Sequence, residues 1–186
     1  MEQGPEYSEK YVEQYLSERH KDIYFPLYRA AIDFLPEDKD RMIVDLGCAV
    51  GWIGKLVLEK GYKNYVGIDF SSGMIEAAKL NVPQGTFVLG YLRDPKTQVL
   101  FRDYDIFVTL EVLEHIRDDL KLVESLPSGS LVIFSVPNFR SAAHVRWFDD
   151  VGAVIDRYDD LLDIEGFKVI RYGKKSKAFL FQSYRR

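Results

Sequence analysis

Between residues 41 and 136 short apolar runs alternate with stretches of helical periodicity. The runs at 42–46, 65–68, 86–89, 105–110 and 130–136 suit buried parallel strands. Apolar positions at helical spacing fill the intervals near 51–60, 72–80, 95–101 and 114–125. Such alternation predicts a doubly wound α/β sheet. A further helix near 149–163 precedes two strand-like runs, 167–172 and 178–184, joined by Gly173, Lys174 and Lys175. So short a link makes them a hairpin, and one closing strand should run antiparallel. Ahead of the sheet, Tyr7, Tyr11, Val12 and Tyr15, then Phe25, Tyr28, Ala31, Ile32 and Leu35, recur at helical spacing and predict two helices from residue 6 to about 35, ended by Pro36.

The 186 residues suit one domain, with 1–40 as a helical cover and 41–186 as an α/β core. A 47% hydrophobic content with 12 Tyr and 12 Phe argues against disorder. The net charge of -4 gives no overall field to attract nucleic acid or an anionic membrane, although Lys168, Arg171, Lys174, Lys175, Lys177, Arg185 and Arg186 follow the last acidic residue, Glu165. That basic end reads as a solvated face of two terminal strands in preference to an RNA-docking patch. One cysteine, Cys48, excludes an internal disulfide and points to a reducing compartment. The first ten residues lack the apolar core of a signal peptide and no run approaches membrane-spanning length, so the expectation is a soluble cytoplasmic protein.

Candidate chemistry begins at the first strand end, DLGCAVGWIG, residues 45–54. In open α/β sheets ligands bind beyond the carboxyl ends of the strands. Asp69, 22 residues beyond Gly47, has the spacing of an acid that meets a ribose hydroxyl. The loop reads G-x-x-x-G-x-x-G, so it lacks the middle glycine of the dinucleotide fingerprint, and no Lys-Ser/Thr pair follows as in a phosphate loop. The loop therefore favours a ligand without a phosphate chain.

IVDLGCAVGWIG, YVGIDFSSGMIEAA and DIFVTLEVLEHI together resemble the class I S-adenosylmethionine-dependent methyltransferases, over residues 41 to 170. The resemblance implies a Rossmann-like, seven-stranded, mostly parallel sheet. It also implies a donor in which a nucleoside is joined to an amino acid through a sulfonium. Carried over, Gly47, Cys48, Ala49 and Gly51 lie along the methionyl part, with Asp45 near its ammonium. Asp69 holds the ribose, Phe70 and Met74 pack on adenine, and backbone around Tyr91 and Leu92 meets its edge, with Asp94 as a substitute acid. The family's usual loop is GCGxG. Ala49 departs from it and is expected at negative φ, with Ala49→Gly preserving donor binding.

Glu111, Glu114 and His115 stand at i, i+3 and i+4, and on a helix they would share one face. Three explanations compete. The acids complement a helix N-terminus, or His115 is a general base, or the trio binds a hard divalent ion such as Mg²⁺. E-x-x-E-H is similar to the motif of ubiquinone-type O-methyltransferases and small-RNA 2′-O-methyltransferases, in which it binds a divalent metal. His144 is a further ligand candidate, while HVRWF resembles a family segment whose His and Arg order the substrate-side loop. Residues 135–139 and the helices bearing Tyr11, Tyr15, Arg19 and His20 are candidate pocket walls. The resemblance implies methyl transfer from S-adenosylmethionine to an oxygen, less readily a nitrogen, of a small acceptor, with Glu111 and His115 catalytic. An RNA methyltransferase and a non-catalytic donor-binding regulatory subunit are the rivals. Neither acceptor nor oligomeric state is legible.

Overall fold

A computed structural model describes residues 9–186; Tyr7 and the start of the first predicted helix lie outside the described residues. Strands β1 (Met42–Leu46), β2 (Asn64–Asp69), β3 (Thr86–Leu89), β4 (Ile106–Leu110), β5 (Leu131–Pro137), β6 (Leu162–Arg171) and β7 (Lys177–Arg185) form one sheet in the order β3-β2-β1-β4-β5-β7-β6. The first five pair in parallel, and β7 lies antiparallel between β5 and β6. This is the predicted doubly wound sheet with its antiparallel closing strand. The strand order reverses between β1 and β4, so their carboxyl ends open the crevice where such sheets bind ligands.

Helices α1 (Glu9–Leu16), α2 (Glu18–Ile32), α3 (Trp52–Glu59), α4 (Ser72–Asn81), α5 (Pro95–Gln98), α6 (Asp119–Glu124) and α7 (Val151–Tyr158) cover the sheet. One core layer joins Leu27, Ile43, Val57, Tyr65, Ile106 and Leu180 under α2, α3 and α4. The other joins Val44, Phe107, Leu122, Phe134, Tyr158 and Phe181 under α6 and α7. A third cluster of Val50, Trp52 and Met74 lies beneath Tyr11, Val12 and Tyr15 of α1. The Trp52 indole N–H donates to Tyr15 O at 2.9 Å and pins α1 to the start of α3.

Three predicted elements differ. The stretch near 95–101 is short α5 followed by a 3₁₀ turn, Val99–Asp103. The helix near 149–163 stops at Tyr158, and Leu162 opens β6 because it pairs with Arg185 at the end of β7. The helix near 114–125 is a 3₁₀ turn, Leu113–His115, and then α6. Here Arg146 donates to the carbonyls of Leu113, Ile116 and Arg117, acceptors that a continuous helix would use for its own N–H groups. Among the described residues no helix is long and apolar enough to cross a membrane.

Candidate active site

The turn after β1 is fixed by backbone donors. Gly47 N–H and Cys48 N–H both reach the Ile68 carbonyl, at 2.8 and 3.0 Å, and Ala49 N–H reaches the Asp69 carboxylate at 3.0 Å. The turn so held has positive φ at Gly47 (81°), Ala49 (44°) and Gly51 (82°). The expectation of negative φ at Ala49 is therefore wrong. Three donors drawn to the end of β2 outweigh the ~1–2 kcal/mol that left-handed backbone costs an L-residue.

The glycines serve different contacts. A Cβ on Gly47 would fall 2.5 Å from Val112 Cγ2, so Gly47 lets the loop after β4 close onto the loop after β1. On Gly51 it would meet the Phe87 ring, and on Gly54 the Tyr65 ring. Tyr65 in turn donates its hydroxyl to Asp45 at 2.8 Å. Asp45 is 3% exposed, and burial pushes its carboxyl up to about 7 against that hydrogen bond. Cys48 turns its thiol into the sheet against Gly67 and offers the site only backbone.

At the end of β2, Asp69 is also buried and raised in pKa by burial, and its other oxygen accepts from Ser71 N–H at 2.9 Å. Phe70 N–H bonds the carboxylate as well, so one lone-pair position remains for a further donor. Phe70 and Tyr91 stack with centroids 5.9 Å apart and planes 25° from parallel. The other residues expected near an adenine have these surroundings. Met74 is fully buried beneath α1, Leu92 packs on the lower core, and Asp94 caps α5 by accepting from Lys96 N–H at 2.9 Å.

Across the crevice, Glu111 follows β4 at φ 57°, a second strained non-glycine position. Its N–H donates to the Ser135 hydroxyl at 3.0 Å, and that hydroxyl donates back to Glu111 Oε1 at 2.9 Å. Burial pushes the Glu111 carboxyl up to about 7, opposed by the Ser135 and Tyr172 hydroxyls. Glu114 is 1% exposed, and neither of its oxygens has a hydrogen-bond partner; burial and the neighbouring Glu111 raise its pKa. Tyr24, whose hydroxyl burial pushes up to about 12, packs on Tyr172 at 5.0 Å. His20 lies elsewhere in the wall, sandwiched by Tyr15 and Tyr24 and bonded to the Tyr28 hydroxyl at 3.0 Å; burial lowers its pKa to about 4. Arg19 is exposed.

The single helical face expected for Glu111, Glu114 and His115 does not form, because Glu111 is left-handed and 113–115 is a 3₁₀ turn. Ligand atoms of Glu114, His115 and His144 instead lie within 4.8 Å of one another, and Glu111 stands outside that trio. Both histidines donate Nδ1–H to backbone carbonyls at 3.0 Å, His115 to Ala143 and His144 to Phe139. This fixes the tautomer and leaves each Nε2 as a lone-pair donor. One carboxylate and two imidazoles do not make the oxygen set that Mg²⁺ prefers.

What holds the trio is scarcely visible in the sequence. Asp119, fully buried, accepts from Arg157 at 2.6 and 2.9 Å, from the Tyr158 hydroxyl at 2.7 Å, and pairs with Arg146 at 3.1 Å. Arg146 binds the three carbonyls around His115, and Val145 N–H donates to Glu114 O at 2.8 Å. The HVRWF segment thus orders the loop after β4, through an aspartate that reads as an ordinary helix-start residue. Trp147 in the same segment is 42% exposed, with the Arg140 guanidinium over its ring.

A family model described as Methyltransferase domain matches residues 18–167. The ubiquinone biosynthesis O-methyltransferase of Nitrosomonas europaea is 28% identical over 107 residues, 53% of this chain and 45% of that protein. The chain spans about half the length of the curated relatives it matches first. Among solved structures, the N-methyltransferase NodS of Bradyrhizobium japonicum with S-adenosyl-L-homocysteine aligns at TM-score 0.71 and 15% identity, covering 95% of this chain and 97% of that one. The putative methyltransferase in complex with the Haloferax volcanii Trm112 activator aligns at 0.75 and 15% identity, covering 94% and 97%. With the fold shared by those structures and the family model spanning β1 to β6, this chain belongs to the methyltransferase-domain family.

Proposed function

We propose that this domain transfers a methyl group from S-adenosylmethionine to an oxygen of a small acceptor. The observation that carries the reading is the contact of Gly47 with Val112, which sets the glycine turn directly beside the Glu111, Glu114 and His115 loop. On this reading the donor lies along residues 47–51 with its ribose on Asp69 and its adenine by Phe70 and Tyr91. The acceptor hydroxyl then faces Glu111 and His115. Displacement at a sulfonium has an activated leaving group, so positioning supplies most of the acceleration. His115, kept neutral by burial with Nδ1–H on Ala143 O, presents Nε2 to take the acceptor's proton.

Calorimetry with S-adenosylmethionine and S-adenosylhomocysteine tests the donor half. Binding of both, weakened at least tenfold by Asp69→Ala, is expected, and absence of binding to either ends the proposal. For the acceptor half, Glu111→Gln and His115→Gln should each lower turnover with a responsive acceptor while leaving donor affinity within about twofold. Binding without transfer across a broad acceptor panel would favour a donor-binding subunit instead.

A metal-assisted variant is favoured by the Glu114 oxygens, which have no hydrogen-bond partner and of which Oε1 lies 3.6 Å from His115 Nε2, and by the two oriented Nε2 atoms. Glu114, His115 and His144 would hold a borderline ion of the Mn²⁺ or Zn²⁺ type, which would polarise the acceptor oxygen. Titration of Zn²⁺ and Mn²⁺ into wild type and His144→Ala, read by calorimetry, separates this variant from metal-free positioning.

A further inference from the structure

Two carboxylates on the loop after β4 stand among aromatic rings, and neither has a cation of its own. Glu111 makes no ion pair among the described residues, and its Oε1 accepts from the uncharged Ser135 hydroxyl. Glu114, 1% exposed, has His115 at 3.6 Å, an imidazole whose pKa burial lowers. Arg146 is the guanidinium that acts on Glu114, and it is committed to Asp119 at 3.1 Å and to the carbonyls of Leu113, Ile116 and Arg117. Buried carboxylates are costly without a compensating charge, so this pair favours a positive charge brought from outside.

Rings close the circuit between the two acids. Phe139 packs on His144 at 5.4 Å and on Tyr172 at 6.4 Å, and Tyr172 packs on Tyr24 at 5.0 Å. Burial and, after it, the nearby Glu111 and Glu114 raise the pKa of the Tyr24 and Tyr172 hydroxyls, so both phenols share the compartment of the acids. Glu111, Tyr24, Phe139 and Tyr172 are half-buried and keep accessible surface, whereas Glu114 is sealed from solvent.

We infer that the acceptor is an organic cation, a small molecule whose ammonium group sits between the Glu111 carboxylate and the rings of Tyr24, Phe139 and Tyr172. Aromatic rings attract a cation through their quadrupole, and the carboxylate beside them supplies the opposite charge. Glu114 adds a second negative charge without touching the ligand. The inference rests on the methyl-transfer reading and deepens it: an ammonium held by Glu111 leaves a hydroxyl of the same molecule for His115 Nε2. A metal ion would use Glu114, His115 and His144 but neither the three rings nor Glu111, which stands outside that trio. A neutral phenol would use the rings and leave both carboxylates uncompensated.

Calorimetry in EDTA on the full chain saturated with S-adenosylhomocysteine tests this with matched probes, benzylammonium against benzyl alcohol and tetramethylammonium against tert-butanol. At least one cation should bind roughly tenfold more tightly than its neutral counterpart. Glu111→Gln should abolish that preference, and Tyr172→Leu should reduce it severalfold while Tyr172→Phe, which keeps the ring, retains it. No cation binding, equal affinity for charged and neutral probes, or a preference untouched by Glu111→Gln would each overturn the inference with donor binding intact. A charge preference confined to the donor, with S-adenosylmethionine bound far more tightly than S-adenosylhomocysteine and the difference lost in Glu111→Gln, would give the compartment to the sulfonium and overturn it too. Failure to bind S-adenosylhomocysteine at all would end the methyl-transfer reading and this inference together.

Discussion

The two sides of the crevice are built by opposite means. On the donor side, the turn after β1 is held by its own backbone, through consecutive N–H groups of 47–49 bonded to Ile68 and Asp69, all within 25 residues of chain. On the side proposed for the acceptor, the backbone of 111–118 is held by side chains, Arg146 and beyond it Asp119, Arg157 and Tyr158. A backbone-built site tolerates side-chain change, whereas a network of buried charges fails when one member is removed.

The comparison breaks most sharply at Asp119. Asp119→Ala leaves two guanidinium groups without their buried partner and should cost about 3–5 kcal/mol in denaturant unfolding, with activity lost even where the fold persists. Asp45 sharpens the donor side through pH. Its folded-state pKa, near 7, lies above that of an unfolded aspartate, so the folded state binds the extra proton and stability falls as pH rises from about 4 to 7. Wild type should therefore lose up to ~1.4 kcal/mol per pH unit across that window relative to Asp45→Asn. Parallel curves for the two proteins would refute the assignment.

Gly47→Ala combines a left-handed alanine with a clash against Val112, and should destabilise by about 2–3 kcal/mol. Adding Val112→Ala should return part of that loss and leave the backbone share. Smallest is Ala49→Gly, which relieves the left-handed alanine and should raise stability by up to ~1 kcal/mol with donor affinity retained. A drop in melting temperature would show that the methyl group packs more than its backbone costs.

The same contrast explains what the sequence disclosed. The alternation of strands and helices and the turn after β1 were legible because local periodicity and glycine spacing dictate them. Ala49 was misread because its φ is set by bonds to β2, which the residue type does not reveal. The Glu111, Glu114 and His115 face was misread because helical spacing assumes a helix, and Arg146 removes the carbonyls that would make one. His144, a further ligand candidate from the sequence, does lie with Glu114 and His115, although it stands 29 residues beyond His115. Asp119 carried no signal, since a burial-dependent role is absent from an isolated helix start.

The chain has two tryptophans, and they divide between these regions. Trp52, 6% exposed, is tied to α1 at the donor turn, and Trp147, 42% exposed, belongs to the acceptor loop. Their emission should therefore separate by colour, blue from the first and red from the second. Trp147→Phe would leave an optical reporter for donor arrival, Trp52→Phe one for the acceptor, and the order in which the two ligands enter becomes measurable in a stopped-flow trace without any label.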